Sequence, residues 1–295
     1  MPHEISAIGI LNIDKPSGWT SHDVVARLRR VTGVRRIGHA GALDPLATGV
    51  LVVCIGAATR LSDYFMSGDK HYRATVHLGI ETDSWDAEGE VVARGDASAV
   101  TRERFGEALA GFVGEIEQTP PMYSALKRDG QPLYRLARRG EQVTLEPRPV
   151  TIHQAELTSW EHPVATIDIV CSKGTYVRSL AHDLGAVLGC GAHLAALRRL
   201  RSGRFAIGDA VALDALDANN WRAALVAPWE ALADRSRLIV SAEQCGELLL
   251  GRAVELPAVC EDVVFAFDAQ HTLIAVLIPV DAPGRWRPTK VLAHD

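Results

Sequence analysis

The apolar run GVLVVCIG, residues 49–56, constrains the fold more than any other stretch of this sequence. It has the length of a β-strand and is apolar at successive positions, so both of its faces avoid water. We therefore expect a strand that is buried on both sides, within a sheet that lies at the centre of the protein.

Alternating and helical patterns surround this run. IGILNIDKPSG, residues 8–18, predicts a strand that ends in a turn at Pro16 and Gly18. A helix should follow, because Thr20 and Asp23 form a capping-box-like start and Gly33 can end it. ATRLSDYFM predicts a short helix, and HYRATVHLGI predicts a strand from its period of two.

The later segments mix strands and helices without a regular βαβ rhythm. TRERFGEALAGF predicts a helix, while PVTIHQAELTSW and ATIDIVCSKG predict alternating strands. TYVRSLAHDLGAVLG predicts an amphipathic helix that begins at a Thr175 cap and ends at Gly189. This order predicts an α+β fold with a mixed, largely antiparallel central sheet and flanking helices. Short apolar runs after residue 237 predict a small β-rich C-terminal domain, which divides the chain into 1–233 and 234–295.

Composition excludes several classes of protein. The chain has 295 residues, of which 47% are hydrophobic and 23% charged, as in ordinary folded domains. No stretch approaches the roughly 20 apolar residues of a membrane-spanning helix, and the opening residues lack the features of a secretory signal. We therefore expect a cytoplasmic protein without a membrane partner.

The cysteines and histidines indicate no metal site. The five cysteines are scattered without a C-x-x-C pair, so we expect buried, reduced thiols rather than disulfides or a zinc site. The 11 histidines show no H-E-x-x-H spacing. No metal or cofactor is expected.

Charge is distributed unevenly along the chain. The net charge is −5, but residues 1–210 hold 24 basic and 24 acidic side chains, whereas residues 211–295 hold 7 and 12. The basic side chains include three arginine clusters: Arg27, Arg29, Arg30, Arg35, Arg36; Arg135, Arg138, Arg139; and Arg198, Arg199, Arg201, Arg204. Such clusters can neutralise phosphates, or they can simply lie on solvated helix faces.

The motif GHAGALDPLATGVL places one carboxylate, Asp44, between small residues and a proline. Pro45 restricts the backbone at Asp44, and Gly38 and Gly41 allow a ligand to approach closely. An Asp before Pro is also a common turn residue that caps neighbouring N–H groups. Both interpretations are open at this point.

Missing motifs narrow the chemistry that Asp44 could perform. The chain lacks the second carboxylate motif that a glycosidase would need. It also lacks the phosphate-binding glycine loop of a kinase or NTPase and the G-x-S-x-G motif of a serine hydrolase. What remains is an Asp that acts alone as nucleophile or base, kept ionised by a nearby cation.

Four motifs in order resemble those of the TruB family of tRNA pseudouridine synthases. They are LNIDKPSGWTSHDVV, GHAGALDPLATGVL, KHYRATVHLGIETDSWDAEGEV and CSKGTYVRSLAHDLG, the last followed by GAHLAALRRLRSGRF. PPMYSALKRDGQPLYRLARRG is also typical of this family. The resemblance covers residues 8 to about 230 and implies the pseudouridine synthase fold.

The resemblance assigns roles to six residues. Asp44 would be the catalytic aspartate, Arg178 its ion-pair partner, and Tyr72 would stack on the target base near the proton that the ring loses. Tyr176 would line the same pocket, Leu197 would form its apolar wall, and His39 would hold the RNA loop. Taken singly, Tyr72 and Leu197 are equally consistent with ordinary core residues, and His39 with an ordinary loop residue.

The implied reaction converts uridine at position 55, in the T loop of tRNA, to pseudouridine without a cofactor. The target base must be flipped out first. Asp44 could attack the sugar or the ring, or remove the C2′ proton; the sequence leaves these paths open. The partner would be the tRNA T arm, and we expect a monomer without an obligate protein partner.

This sequence departs from the family pattern in two places, and two other functions remain as alternatives. Ala40 stands where many members have Thr, and the C-terminal segment, which occupies the place of a PUA-type RNA-binding module, is net acidic. That module could bind RNA, or it could serve docking or stability. The alternatives to a stand-alone synthase are an RNA-guided relative and a tRNA-folding factor with secondary catalysis.

Overall fold

A computed structural model describes residues 7–123, 145–257, 259–280 and 284–292, and the backbone of 127–128 and 131–132. The arginine cluster at 135–139 and most of the PPMYSALKRDGQPLYRLARRG motif lie outside the described residues.

The described strands are β1 (Gly9–Lys15), β2 (Ile37–His39), β3 (Thr48–Ile55), β4 (Lys70–Leu78), β5 (Ile80–Thr82), β6 (Val91–Arg94), β7 (Gly114–Gln118), β8 (Lys127–Arg128), β9 (Gln131–Pro132), β10 (Arg148–Glu161), β11 (Val164–Cys171), β12 (Ala192–Ser202), β13 (Phe205–Ala206), β14 (Val211–Ala212), β15 (Arg237–Ile239), β16 (Val254–Glu255), β17 (Val264–Phe267), β18 (Leu273–Pro279) and β19 (Arg285–Val291). The α-helices are α1 (Ser21–Thr32), α2 (Ser62–Met66), α3 (Arg102–Ala110), α4 (Val177–Leu188), α5 (Pro228–Ala231) and α6 (Ala242–Leu249). Short 3₁₀ helices occupy Gly56–Leu61, Ile207–Asp209, Leu213–Ala215 and Trp221–Ala224.

A large mixed sheet forms the centre of the protein. Its strand order is β14-β1-β3-β12-β4-β11-β10-β7, with β2 paired to β3 and β13 paired to β12. Only the β1–β14 and β3–β12 pairs of this sheet are parallel within the described residues. The prediction of an α+β fold with a largely antiparallel sheet is confirmed.

Strand β3 is buried on both faces, as its apolar sequence predicts. Leu51, Val53 and Ile55 face a core that includes apolar side chains of α1 and α4. Val50, Val52 and Cys54 face the opposite way, into a core that they share with β17 and β18. The sheet is therefore covered by helices on one side and by the C-terminal strands on the other.

The caps of α1 match the sequence prediction, whereas the start of α4 does not. Thr20 and Asp23 form both bonds of a capping box, and Gly33 ends α1 in the left-handed conformation. Helix α4 begins one residue later than predicted, with Tyr176 at the N-cap position. Thr175 instead donates its hydroxyl to the Ser172 carbonyl at 3.0 Å, so its side chain closes the preceding turn and does not cap the helix.

A second sheet, of order β15-β17-β18-β19-β16, forms the C-terminal part of the chain. Phe267 of β17 packs edge-on against Trp229 of α5, with ring centroids 4.9 Å apart. Lys290 of β19 donates to the Arg60 carbonyl at 2.8 Å and lies 4.7 Å from the Tyr64 ring centroid. These contacts dock the second sheet on the first; the division at residues 233 and 234 stays a prediction.

Two further expectations concern cysteines and membrane spans. Cys54, Cys171 and Cys190 are buried, but Cys245 of α6 is half-buried and Cys260, between β16 and β17, is exposed, so the expectation of buried thiols is wrong for these two cysteines. Within the described ranges, no helix has both the length and the apolar character that a bilayer crossing requires.

Candidate active site

The loop that carries Asp44 connects β2 to β3 and is fixed at several main-chain atoms. The Leu43 N–H donates to the Ser21 hydroxyl at 2.9 Å, which ties the loop to the first turn of α1. The Gly18 N–H donates to the Pro45 carbonyl at 2.9 Å, and the buried Lys15 ammonium donates to the same carbonyl at 3.3 Å. The turn after β1 therefore supports the residue that follows Asp44.

Arg199 of β12 holds the other end of the loop. Its side chain is buried, and its guanidinium donates to the carbonyls of Gly41 at 2.9 Å, Ala42 at 3.4 Å and Val50 at 2.7 Å. A Cβ atom on Gly49, which has φ = 97°, would lie 2.3 Å from the Arg199 carbonyl oxygen. Only glycine lets β3 approach β12 this closely, so the backbone at Gly49 and the side chain of Arg199 together join the two strands.

Asp44 forms an ion pair with Arg178 on the first turn of α4. The Asp44 Oδ2 and Arg178 Nη2 atoms are 3.0 Å apart. The opposite nitrogen, Arg178 Nη1, lies 3.4 Å from Oδ2 of Asp86. Arg178 and Asp86 each expose 4% of their side chains, whereas Asp44 exposes 42%. The buried Arg178 thus pairs through one nitrogen with Asp44, which is exposed to a cavity, and through the other with Asp86, which is buried.

Further bonds fix the buried half of this network. Arg178 donates to the Ser84 carbonyl at 3.3 Å and to the Tyr123 carbonyl at 2.8 Å. Asp86 accepts the Ser84 hydroxyl at 2.6 Å and the Glu88 N–H at 3.0 Å. A charged pair that is taken out of water is stable only when its remaining donors and acceptors form hydrogen bonds. Most of those of Arg178 and Asp86 do so in this structure.

A cavity of about 540 Å³ opens in front of Asp44. Five of the six predicted site residues line it: Asp44, Tyr72, Tyr176, Arg178 and Leu197. Its volume is in the range of small-molecule sites. The structure brings these five residues together, although the positions lie far apart in the chain; their catalytic and binding roles stay predictions.

His39, the sixth predicted residue, does not line the cavity. Its ring meets His22 of α1 edge-on, with centroids 5.6 Å apart, and its buried Nδ1 atom has no hydrogen-bond partner among the described residues. Burial lowers the pKa of His39, and the neighbouring His22 and Arg199 lower it further, so the ring is neutral at physiological pH.

Burial controls the titration of the groups in the cavity. It raises the pKa of Asp44; Arg178 opposes this rise, and Asp86 adds to it. The pKa of Tyr72 is also raised by burial, with Arg199 beside the phenol opposing the rise. Burial lowers the pKa of Lys70 to about 8. Arg178 thus compensates only part of the cost of burying the Asp44 charge.

Sequence patterns miss Asp86 and suggest the wrong surroundings for Arg199. Asp86 lies in a segment with several acidic side chains, and no pattern there distinguishes one of them. The arginine cluster predicts that Arg199 binds phosphate or lies on a solvated helix face; the structure instead buries it in strand β12, where it lines the cavity, so the helix face is wrong and phosphate binding stays a prediction. Arg199 lies on the same side of β12 as Leu197, but the register shifts of this strand keep the sequence pattern from showing it.

Comparisons with known proteins identify the family of this chain. A model of the TruB family pseudouridylate synthase N-terminal domain matches residues 29–177. The chain belongs to the TruB family. The family's tRNA pseudouridylate synthase B C-terminal domain matches residues 178–234, which include β12 of the central sheet. The prediction of a pseudouridine synthase, an isomerase, is confirmed.

Curated relatives match most of the chain. A protein named tRNA pseudouridine synthase B from Syntrophotalea carbinolica is 51% identical over 79% of this chain and 72% of its own length. A protein of the same name from Dehalococcoides mccartyi is 43% identical over 96% of both chains.

Solved structures share the fold over nearly the whole length. A crystal structure of a Cbf5-Nop10-Gar1 complex matches with a TM-score of 0.74 and 26% identity, over 97% of this chain and 85% of that one. An H/ACA RNP bound to a substrate RNA that contains 2'-deoxyuridine matches with a TM-score of 0.73 and 24% identity, over 97% and 85% of the two chains. The latter likeness concerns the fold alone.

Proposed function

We propose that this TruB family member isomerises uridine to pseudouridine at position 55 in the T loop of tRNA, with Asp44 as the essential residue. The observation that carries the proposal is the Asp44–Arg178 pair, in which a buried arginine directs a partly exposed carboxylate into a cavity between two tyrosines. The choice of tRNA follows the names of the curated relatives, and the choice of the T loop follows the motifs.

The cavity is suited to a base that has left its stack. A uridine paired within the tRNA elbow cannot reach Asp44, so the base must be flipped out before it reacts. The rings of Tyr72 and Tyr176 in the cavity wall can replace the lost stacking, and Leu197 supplies an apolar contact. Tyr72 keeps its proton at physiological pH, because burial raises the pKa of its phenol.

The chemistry requires one carboxylate and no external reactant. The C1′–N1 bond breaks, the uracil rotates, a C1′–C5 bond forms, and the proton lost from C5 is balanced by one that N1 gains. An ionised Asp44 can begin this sequence as a nucleophile or as a base. Arg178 fixes the direction of that carboxylate through the 3.0 Å contact.

We also propose that the protein acts in the cytoplasm as a monomer, without a cofactor or an obligate protein partner. Among the described residues, no group of three or more potential metal ligands occurs. Sedimentation of the purified chain, with and without a T-arm transcript, tests this assembly: one protein per RNA is expected, and a stable dimer would contradict the proposal.

The decisive experiment incubates purified protein with an unmodified T-arm transcript and maps pseudouridine. Wild type should form it at position 55, whereas Asp44→Asn should form none and still bind the RNA. Asp168→Asn is the matched control, because Asp168 also forms an arginine ion pair, with Arg73 at 2.7 Å, but lies outside the cavity wall. This variant should retain wild-type activity.

Each alternative predicts a different result. Product that forms only after guide RNA and accessory proteins are added would indicate the RNA-guided relative. Retained RNA binding without product under either condition would indicate the folding factor. Product at other uridines but not at position 55 would reject the proposed target while keeping the reaction.

A further inference from the structure

Trp85 has an unusual backbone conformation next to the Arg178 network. It lies in the segment 83–90, which connects β5 to β6, and its φ angle is +62°. Within the described residues, the only other non-glycine residue with positive φ is His271. This region is sterically unfavourable for a large side chain, so the surrounding contacts must hold Trp85 there.

The two neighbours of Trp85 in the chain both contact the same nitrogen of Arg178. The Ser84 carbonyl accepts from Nη1 at 3.3 Å, and Oδ2 of Asp86 lies 3.4 Å from Nη1. Between them, the Trp85 carbonyl accepts the Leu194 N–H at 3.0 Å. The left-handed turn at Trp85 thus directs a carbonyl before it and a carboxylate after it to one guanidinium nitrogen.

The ring of Trp85 ties this segment to the helix that carries Arg178. It stacks on His182, with centroids 4.4 Å apart and planes at 11°. His182 follows Arg178 by four residues on α4, so the two side chains leave the same face of the helix on successive turns. Trp85 does not line the cavity. Any effect on the reaction must therefore pass through the residues that it holds.

We propose that Trp85 is a positioning residue: its stack on His182 holds the 83–90 segment in the left-handed turn that brings Ser84 and Asp86 to Arg178. Arg178 in turn directs Asp44, so the stack sets the direction of the reactive carboxylate. The kinetic effects expected from this inference rest on the proposed function, whereas the structural effects do not.

The variant Trp85→Gly separates the ring from the strained backbone. Glycine adopts positive φ freely, so this change relieves strain while it removes the stack. We expect kcat on the T-arm transcript to fall about tenfold to a hundredfold, as when a reacting group is misplaced by about 1 Å, with KM nearly unchanged. Trp85→Phe, which can still stack, should restore most of kcat.

His271→Gly is the matched control. His271 has a φ of +60° and stacks on Trp229, with centroids 3.9 Å apart and planes at 2°, in the C-terminal part of the chain. The variant therefore also loses a stacked ring at a position of positive φ, but away from the cavity. We expect its kcat to equal that of wild type. A similar loss in this control would mean that general destabilisation explains the Trp85 result and would overturn the proposal.

A second variant tests the proposed contact itself. His182→Ala should reproduce the loss of kcat, and the double variant with Trp85→Gly should be no worse than either single variant, because both changes remove one interaction. Additive losses would overturn the coupling. A Trp85→Gly effect confined to KM would instead indicate that the ring contacts RNA, which would also overturn the proposal.

Hydrogen exchange of the free protein distinguishes a failure of this inference from a failure of the proposed function. Trp85→Gly should increase exchange in peptides that cover 83–90 and the first turns of α4, whereas His271→Gly should not. If exchange increases in this way but wild type makes no pseudouridine in tRNA, the positioning role stands and the proposed function fails. Unchanged exchange overturns the positioning role whatever the activity.

Discussion

At the scale of single residues, the central feature is an arginine that is shared by two carboxylates. Arg178 is buried, and a lone buried guanidinium would be costly. Asp86 shares its burial and Asp44 faces the cavity, so removal of the Asp44 charge still leaves Arg178 a partner at 3.4 Å. This arrangement lets the Asp44 carboxylate change its charge or its bonding while the Arg178–Asp86 pair persists.

The pH dependence of the enzyme should reveal this coupling. The proposed reaction needs the Asp44 carboxylate, and burial raises the pKa of that group, so the acid limb of kcat/KM should lie above the ordinary aspartate value of about 3.9. Asp86 raises the pKa of Asp44 further. In Asp86→Asn the negative charge is gone, the pKa of Asp44 falls, and the acid limb should move to lower pH.

The same variant should lower the plateau of kcat, because Arg178 loses its buried ionic partner. The side-chain amide that Asp86→Asn introduces can still accept the Ser84 hydroxyl and the Glu88 N–H through its carbonyl oxygen, so the segment should stay folded. Asp83→Asn, at an exposed acid of the same segment, is the control and should leave the limb in place. An acid limb that does not move in Asp86→Asn would show that Asp86 has no electrostatic influence on Asp44.

Sequence patterns predict the residues of the cavity wall better than the residues that hold them in place. The motifs identify Asp44, Tyr72, Tyr176, Arg178 and Leu197, which meet at one cavity. They do not identify Asp86, because its importance depends on Arg178 being brought to it from a distant helix. A carboxylate in a polar segment looks like a solvated turn residue until the fold shows that it is buried.

At the scale of elements, the loop that carries Asp44 is held by its neighbours and not by its own sequence alone. Ser21 of α1, Lys15 of β1 and Arg199 of β12 each bond to its main chain. Two elements that precede the loop in the chain and one that is distant in sequence therefore fix it together. A rigid loop keeps the carboxylate in place without cost during the reaction.

Arg199→Lys tests the contribution of β12 to this loop. Lysine keeps the charge but ends in a single ammonium group. Unlike the guanidinium, this group cannot bond to the carbonyls of Gly41 and Val50 at the same time. We expect kcat to fall about tenfold, and the free energy of unfolding to fall by about 1–3 kcal/mol, because a buried carbonyl loses its donor. Kinetics and urea unfolding measure the two effects.

Arg198→Lys provides the matched control. Arg198 is the preceding residue of β12, exposes 40% of its side chain and pairs with Asp14 at 2.7 Å. An exposed ion pair of this kind contributes about 1 kcal/mol or less, so both kcat and stability should stay near wild type. If Arg199→Lys also retained wild-type kcat, Lys15 and Ser21 would be sufficient to hold the loop.

Strands whose apolar side chains keep an uninterrupted pattern are predictable from the sequence, whereas strands whose pattern is interrupted are not. β3 and β4 keep uniform patterns, which predict them correctly. β12 pairs with β4 with shifts in register between Leu194 and Ala196 and between Arg199 and Arg201. Each shift breaks the period of two, so residues 192–202 show no strand pattern even though they form a central strand.

At the scale of the whole molecule, the C-terminal sheet completes the core of the central one. Apolar side chains of β1 and β3 form a single cluster with Phe265, Phe267, Leu273 and Val276. Residues 211–295 are net acidic, so the overall charge of this region does not favour binding to phosphates. Of the alternatives for this module, docking is supported by the contacts, and RNA binding has no support from the charge.

Shared burial predicts that the two sheets unfold together. Phe267 is fully buried between them, and replacing a buried Phe by Ala costs about 3–5 kcal/mol. Phe267→Ala should therefore lower the urea midpoints of catalytic activity and of overall secondary structure by the same amount, although Phe267 lies outside the cavity wall. Leu250→Ala, at a side chain that is 67% exposed, should shift neither midpoint.

An activity midpoint that stays at the wild-type value while part of the circular dichroism signal is lost earlier would mean that the C-terminal sheet unfolds by itself. In that case the apolar contact between the sheets would not stabilise the active site.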